Sequence, residues 1–170
     1  MSVVVVPTGT ANLASVLAGL RRAGAEPRMA EGPQDIAEAR AVVLPGVGHY
    51  QAAMASLDGL RDVIVERVRQ ERPLLAICLG LQVLLDGSEE APGVAGLGAI
   101  PGVATRFAAG VRCPHLGWTP VTVQGPARFL RDGYASFAHS YRLTEAPPGW
   151  AVAWADHGGR YVAALERGGV

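Results

Sequence analysis

Lysine is absent from this 170-residue sequence, and all fifteen basic residues are arginine. That excludes a Schiff-base lysine or a Walker-loop lysine as the group that does the chemistry. Cysteine is scarce: Cys78 and Cys113 are too few for a disulfide framework. Net charge is absent as well, because fifteen acidic residues balance the basic ones, so no long-range field favours nucleic acid or an anionic membrane. No apolar run approaches the roughly 18 residues of a membrane span. The opening MSVVVVPTG lacks the basic stretch, long apolar core and cleavage site of a secretory signal. These absences predict a cytoplasmic, reduced protein with neither nucleic acid nor membrane as partner, and the length suits one compact domain.

What is present is a repeating strand-turn-helix pattern. The β-branched run Val3 to Val6, closed by Pro7 and Gly9, reads as a buried strand. Asn12 is placed to cap a helix whose apolar face is Leu13, Val16, Leu17 and Leu20, with Gly24 as its stop. A second strand spans Ala41 to Leu44 and ends in PGVG, a helix runs from about Leu60 to Glu71, and a buried strand from Leu74 to Ile77 leads into a helix from Leu79. This alternation predicts an α/β fold, an open and mainly parallel sheet flanked by helices. After Asp86 the Gly- and Pro-rich APGVAGLGAIPGV gives way to short β-rich segments near Thr105, Val121, Ala151 and Tyr161. They predict an added antiparallel β portion that extends the same sheet.

Cys78 lies inside the apolar stretch LLAICLGLQVLL. A free cysteine in such a stretch reads either as a small core hydrophobe or as a nucleophile. The passage from strand to helix through AICLG is similar to a nucleophile elbow, a tight turn that needs small neighbours, here Ala76 and Gly80. The start of the next helix offers free N–H groups that stabilise a thiolate, with the Leu79 N–H as one oxyanion donor. The LPGVGHY turn is either an ordinary glycine-rich loop or the source of a second donor. Both turns fall at the carboxyl ends of predicted parallel strands, where α/β sheets place their sites.

In this order LPGVG, PLLAICLGLQVLL, SEEAPGVAGLGAIPGVATRF, PHLGW and FAHSY resemble the class I, triad-type glutamine amidotransferases. The resemblance is most specific to the glutaminase subunits of imidazole glycerol phosphate synthases in histidine biosynthesis. It implies that Cys78 attacks the side-chain amide of glutamine to give a thioester and ammonia. It implies that Val47 or Gly48 and Leu79 donate to the oxyanion, and that Gln82, Glu90, Ser140 and Tyr141 hold the amino-acid part of the substrate. His115, Trp118 and Asn12 match the face that meets a (βα)8-barrel cyclase in a heterodimer, and ammonia would pass to that partner. No cofactor or metal is implied.

The resemblance breaks at the C-terminal end. The base and its orienting acid come in this family from a segment like QFHPE, whereas this sequence ends at Val170. Residues 1–170 are therefore expected to form a single amidotransferase domain that lacks the catalytic His/Glu segment and is inactive for want of a base. Loss of a final strand and helix would also expose apolar surface and a sheet edge. His139, beside Ser140 and Tyr141, is the best internal candidate for a base, although packing at a strand end is its ordinary role. An alternative function is a non-catalytic module that binds the cyclase or glutamine. A cysteine hydrolase or redox protein of similar fold ranks last, since Cys-x-x-Cys is missing and PHLGW goes unexplained. Smaller departures are Pro7, Thr8 and Ala11 in the PTGTAN loop, Ala76 before the nucleophile and Thr119 after GW.

Overall fold

A computed structural model describes residues 1–9 and 12–170; Thr10 and Ala11 of the PTGTAN loop lie outside the described residues. The first half alternates strands and helices: β1 (Ser2–Val5), α1 (Leu13–Arg22), β2 (Glu26–Met29), α2 (Pro33–Glu38), β3 (Val42–Leu44), α3 (Tyr50–Ser56), α4 (Arg61–Arg69), β4 (Leu74–Ala76) and α5 (Leu79–Leu84). The second half is almost all strand: β5 (Gly87–Ser88), β6 (Val103–Arg106), β7 (His115–Gln124), β8 (Gly133–His139), β9 (Tyr141–Arg142), β10 (Ala151–Asp156) and β11 (Arg160–Glu166).

The first four strands form a parallel sheet in the order β2-β1-β3-β4. Its two faces carry alternate residues of each strand. Val3, Val5 and Val43 pack under Leu13, Val16, Leu17 and Leu20 of α1, and Asn12 caps that helix by accepting from the Ser15 N–H at 3.3 Å. Val4, Val42 and Leu44 point the other way, into the main core with Ile36, Ile64, Val68, Leu79 and Val83. Beneath α4, the buried guanidinium of Arg67 donates to the carbonyls of Ile36, Ala39 and Pro73, tying the end of α2 to the start of β4. Burial, then the nearby Arg72 charge, push it down to about 10.

The second half forms sheets of its own instead of extending the first. One is antiparallel, in the order β11-β10-β7-β8, and a small mixed sheet has the order β5-β6-β9. The halves still share a core, because Trp150, Val152 and Val162 belong to the same buried cluster as Val4 and Leu44. β7 and β8 have one inward and one outward face, and the register pairs Leu116 with Ala138, Trp118 with Ser136 and Pro120 with Tyr134 on the outward side.

The prediction of a fully buried strand at Leu74 to Ile77 is corrected. β4 is the last strand of its sheet, and α1 packs over β1 and β3 without reaching it. Leu75 and Ile77 therefore stay 54% and 38% exposed. On its outer side the Leu74 N–H donates to the Gly169 carbonyl at 3.0 Å, so residues 169–170 run beside the start of this edge. No described helix is long and apolar enough to cross a membrane.

Candidate active site

The end of β4 is built around one forced backbone conformation. Cys78 has φ 54° and ψ −112°, a region that a residue with a side chain enters only under strain. The turn is held by short backbone bonds: the Ile77 N–H donates to Leu44 O at 3.0 Å and the Gly80 N–H to Ile77 O at 2.9 Å. A Cβ on Gly80 would run into the Leu44 carbonyl, and a Cβ on Gly46 would lie 2.9 Å from both the Gly80 nitrogen and the Leu79 Cβ. The glycines of the two turns thus let backbone pack on backbone, bringing the LPGVG loop against the base of the Cys78 turn. Val47 is 48% exposed on that loop and Gly48 has φ 99°.

Cys78 is open to solvent yet surrounded on its inner side, where it borders a largely apolar cavity of 460 Å³. Burial raises the thiol pKa, the Leu79 N–H against the sulfur lowers it, and the Glu90 charge raises it again, for a net upward shift. The helix start does act on the sulfur through the Leu79 N–H, but burial outweighs it. α5 has only six residues, and the Gly80 and Leu81 N–H groups are already bonded, which leaves the Leu79 amide as the group turned to the sulfur.

The cavity is bordered by Cys78, Gln82, His139 and Tyr141 together with Ile77, Leu81 and Phe137. Gln82 Oε1 is buried with no hydrogen-bond partner among the described residues. An unpaired buried acceptor of this kind costs roughly 1–3 kcal/mol, and a donor on a bound ligand would relieve it. Glu90 does not border the cavity. Its Oε2 accepts from the Tyr50 N–H at 3.1 Å, just past the glycine loop. Ser140, half-buried, links β8 to β9 beside Tyr141.

The four histidines are placed elsewhere than on the sulfur. His49 caps α3 by accepting from the Gln51 N–H at 3.3 Å. His139 has both ring nitrogens engaged, Nδ1 with Tyr141 O at 2.9 Å and Nε2 with His115 Nδ1 at 3.2 Å. It cannot serve as a free base while those bonds stand. His157 is half-buried: it donates to Arg112 O at 2.6 Å and stacks on His115 with ring centroids 4.1 Å apart.

His115 itself is 4% exposed, which corrects its assignment to a partner face. The ring points inward and also meets Thr119 Oγ1 at 2.8 Å. Outward from the same strand stand Trp118, 74% exposed, and Leu116, 66% exposed, with Tyr134 at 71% on the neighbouring strand. Leu116 and Tyr134 escaped the sequence reading, although period-two alternation with Trp118 marks Leu116. Asn12 is exposed, with its side-chain oxygen engaged in the α1 cap. Among the described residues, no group of three or more His, Cys, Asp or Glu side chains could hold a metal ion.

A cysteine on a strained turn, packed on a glycine loop at the carboxyl ends of two parallel strands, defines a class of fold and site. The family model described as "Glutamine amidotransferase class-I" matches residues 5–169, and the chain belongs to this family. Within it, the chain is 40% identical over 167 residues to "Imidazole glycerol phosphate synthase subunit HisH" of Methanothermobacter thermautotrophicus, covering 96% of this chain and 84% of that protein. It is 38% identical over 168 residues to the protein of the same description from Deinococcus radiodurans, covering 94% and 78%. A solved structure described as a crystal structure of glutamine amidotransferase superposes with a TM-score of 0.74 at 21% identity, over 98% of this chain and 86% of that one, a likeness of fold.

Proposed function

We propose that this protein is the glutamine amidotransferase subunit of an imidazole glycerol phosphate synthase, and that Cys78 is its nucleophile. The observation that carries this reading is the φ 54° turn at Cys78, held by the close approach of Gly46 and Gly80. Backbone strain of this sort persists only where the surroundings enforce it, and it sets a side chain at the top of a strand where a substrate can reach it. The sulfur attacks the carboxamide carbon of glutamine, and the oxyanion that forms is met by the Leu79 N–H and by an N–H of the Val47–Gly48 turn. Collapse expels ammonia, which takes up the thiol proton through a base, and water then releases glutamate from the thioester. Gln82 and Tyr141, with Ser140 beside them, hold the amino-acid part, and the unpaired Gln82 Oε1 suits a substrate N–H donor. Glu90 supplies the negative charge for an ammonium.

No histidine of residues 1–170 is bonded to the Cys78 sulfur, so the reaction needs a base that these residues do not supply. The Leu74 to Gly169 bond directs the chain along the outer edge of β4 toward Cys78, and a histidine carried on along that edge would approach the sulfur from the open side. A strand there would also cover Leu75 and Ile77. The outward patch of Leu116, Trp118 and Tyr134 is proposed as the docking face for a barrel-shaped cyclase, large exposed aromatics being the usual anchors of an interface.

A second reading, an inactive binding module, is favoured by one observation: the hydrogen bonds of all four histidines go to groups other than the Cys78 sulfur. Glutamate formation from glutamine by the full-length chain, alone and with the cyclase, separates the two. The first reading predicts turnover that Cys78→Ala abolishes. Glutamine binding by calorimetry without turnover would establish the module instead.

A further inference from the structure

The chain changes sheets at a single residue. β8 ends at His139 and β9 begins at Tyr141, the first in the large antiparallel sheet and the second in the three-stranded one, so Ser140 alone spans the crossing. β9 is two residues long and is held by pairing with Thr105 and Arg106. The Ser140 carbonyl accepts from the Phe107 N–H at 3.3 Å. Backbone bonds alone therefore hold this segment at few points, and the His139 ring bridges the crossing by bonding the carbonyl two residues ahead at 2.9 Å.

The protons in this bridge follow from its acceptors. A carbonyl only accepts, so His139 Nδ1 carries a hydrogen. In a neutral ring Nε2 is then an acceptor, and the His115 Nδ1 facing it at 3.2 Å must be the donor. That leaves His115 Nε2 as an acceptor, met by the Thr119 hydroxyl at 2.8 Å. Tyr161 Oη lies 3.2 Å from the same His115 Nδ1 and accepts a share of its hydrogen. The rings are clamped by their neighbours. His157 stacks on His115, and Phe107 meets His139 edge-on with centroids 5.2 Å apart.

We propose that His139 is a positioning residue for glutamine recognition: a directed chain of hydrogen bonds, from Thr119 to His115 to His139 to the Tyr141 carbonyl, sets where Tyr141 lies at the pocket and where Ser140 lies beside it. The proposal rests on the reading of Ser140 and Tyr141 as the grip on the amino-acid part of glutamine. It goes beyond that reading by assigning a role to two histidines whose ring nitrogens are already bonded to each other and to their neighbours. Burial leads the lowering of the pKa at both His115 and His139, at His139 against the Tyr141 carbonyl bond, which raises it. Burial of the rings thus favours the neutral form that the chain requires.

The test is steady-state glutaminase kinetics of the full-length chain with its cyclase partner, comparing three substitutions at one position. His139→Phe keeps the ring but has no donor, and should raise KM for glutamine about fivefold, the worth of one hydrogen bond, with kcat within about twofold. His139→Asn places an amide N–H near the site of Nδ1 and should restore most of the parental KM. His139→Gln places its amide near the site of Nε2 and should not. An unchanged KM in His139→Phe, or equal behaviour of the Asn and Gln variants, overturns the proposal.

Nitrogen NMR of the unsubstituted chain decides the same point independently of activity or of how the variants fold. A protonated Nδ1 with an unprotonated Nε2 on His139 supports the chain of bonds, and the opposite tautomer overturns it. A parent that forms no glutamate while His139 shows the expected tautomer refutes the glutaminase reading and, with it, the glutamine-recognition role of this chain. A parent that turns over glutamine while His139 shows the opposite tautomer refutes the relay alone.

Discussion

Up to Leu85 the Cys78 turn is held by backbone packed on backbone: Gly46 lies against Gly80, Gly80 against the Leu44 carbonyl, and the strained Cys78 stands two residues before Gly80. From Val103 onward the site is held by buried side chains bonded to backbone, the His115–His139 pair on the Tyr141 carbonyl being one case. Glu166 is another, its carboxylate accepting from the N–H groups of Arg128, Phe129 and Leu130 at 2.6 to 2.9 Å. The difference sets what each part of the site tolerates. Where main chains touch there is no side chain to adjust, so one added methyl group has nowhere to go. Where side chains do the holding, loss is graded and a conservative replacement can restore part of it.

The sharpest way to break this comparison is Gly80→Ala. The new Cβ meets a carbonyl that belongs to a central strand, and a stability loss of at least about 3 kcal/mol is expected in urea melts. A loss below 1 kcal/mol would show that the turn can open. Glu166→Gln samples the other half and should cost about 1–2 kcal/mol, since three charge-assisted bonds become weaker ones. Its pH dependence carries a sign. Burial alone would raise the Glu166 pKa, but the N–H groups of Leu130, Phe129 and Arg128, with the Arg131 charge, outweigh it and hold it below the usual carboxylate range. The stabilisation is therefore complete above the unfolded value and is lost as pH falls through the lower folded value. Melting temperatures of the parent and Glu166→Gln should converge in acid, and a gap that persists there would refute the assignment.

Two smaller effects sharpen the contrast. Cys78→Gly removes the side chain that makes φ 54° costly and should raise stability by about 1 kcal/mol, while removing the proposed nucleophile. Loss of stability in that variant would mean that the turn is not strained. Trp118→Ala, on the exposed outer face, should leave the melting of the isolated chain within about 0.5 kcal/mol. The same change should weaken cyclase binding in a titration, and unaltered affinity would move the docking face elsewhere.

The comparison also explains what the sequence made legible. β1, β3, α1, α4 and the Cys78 turn announce themselves through runs of Val and Leu at clear spacing. β2 does not, because EPRM is an edge strand with no buried residue, and α2 buries only Ile36. α3 is faint in the sequence because it has only seven residues directly after a glycine turn, so that Tyr50, Ala53 and Met54 alone carry its helical spacing. In the second half, alternation alone separates His115 from Trp118: positions three apart on a strand face opposite ways, so both could not meet one partner. The His115–His139 contact was not legible. It depends on a strand register 24 residues across, which only the hairpin fixes.

The account stands most directly on Cys78, and alkylation of the full-length chain by a glutamine-mimicking diazoketone, read by peptide mass spectrometry, tests it. The account predicts modification at Cys78, slowed by L-glutamine and not by D-glutamine, with the half-buried Cys113 spared. Modification of Cys113 instead, or at Cys78 with no protection by L-glutamine, would contradict it.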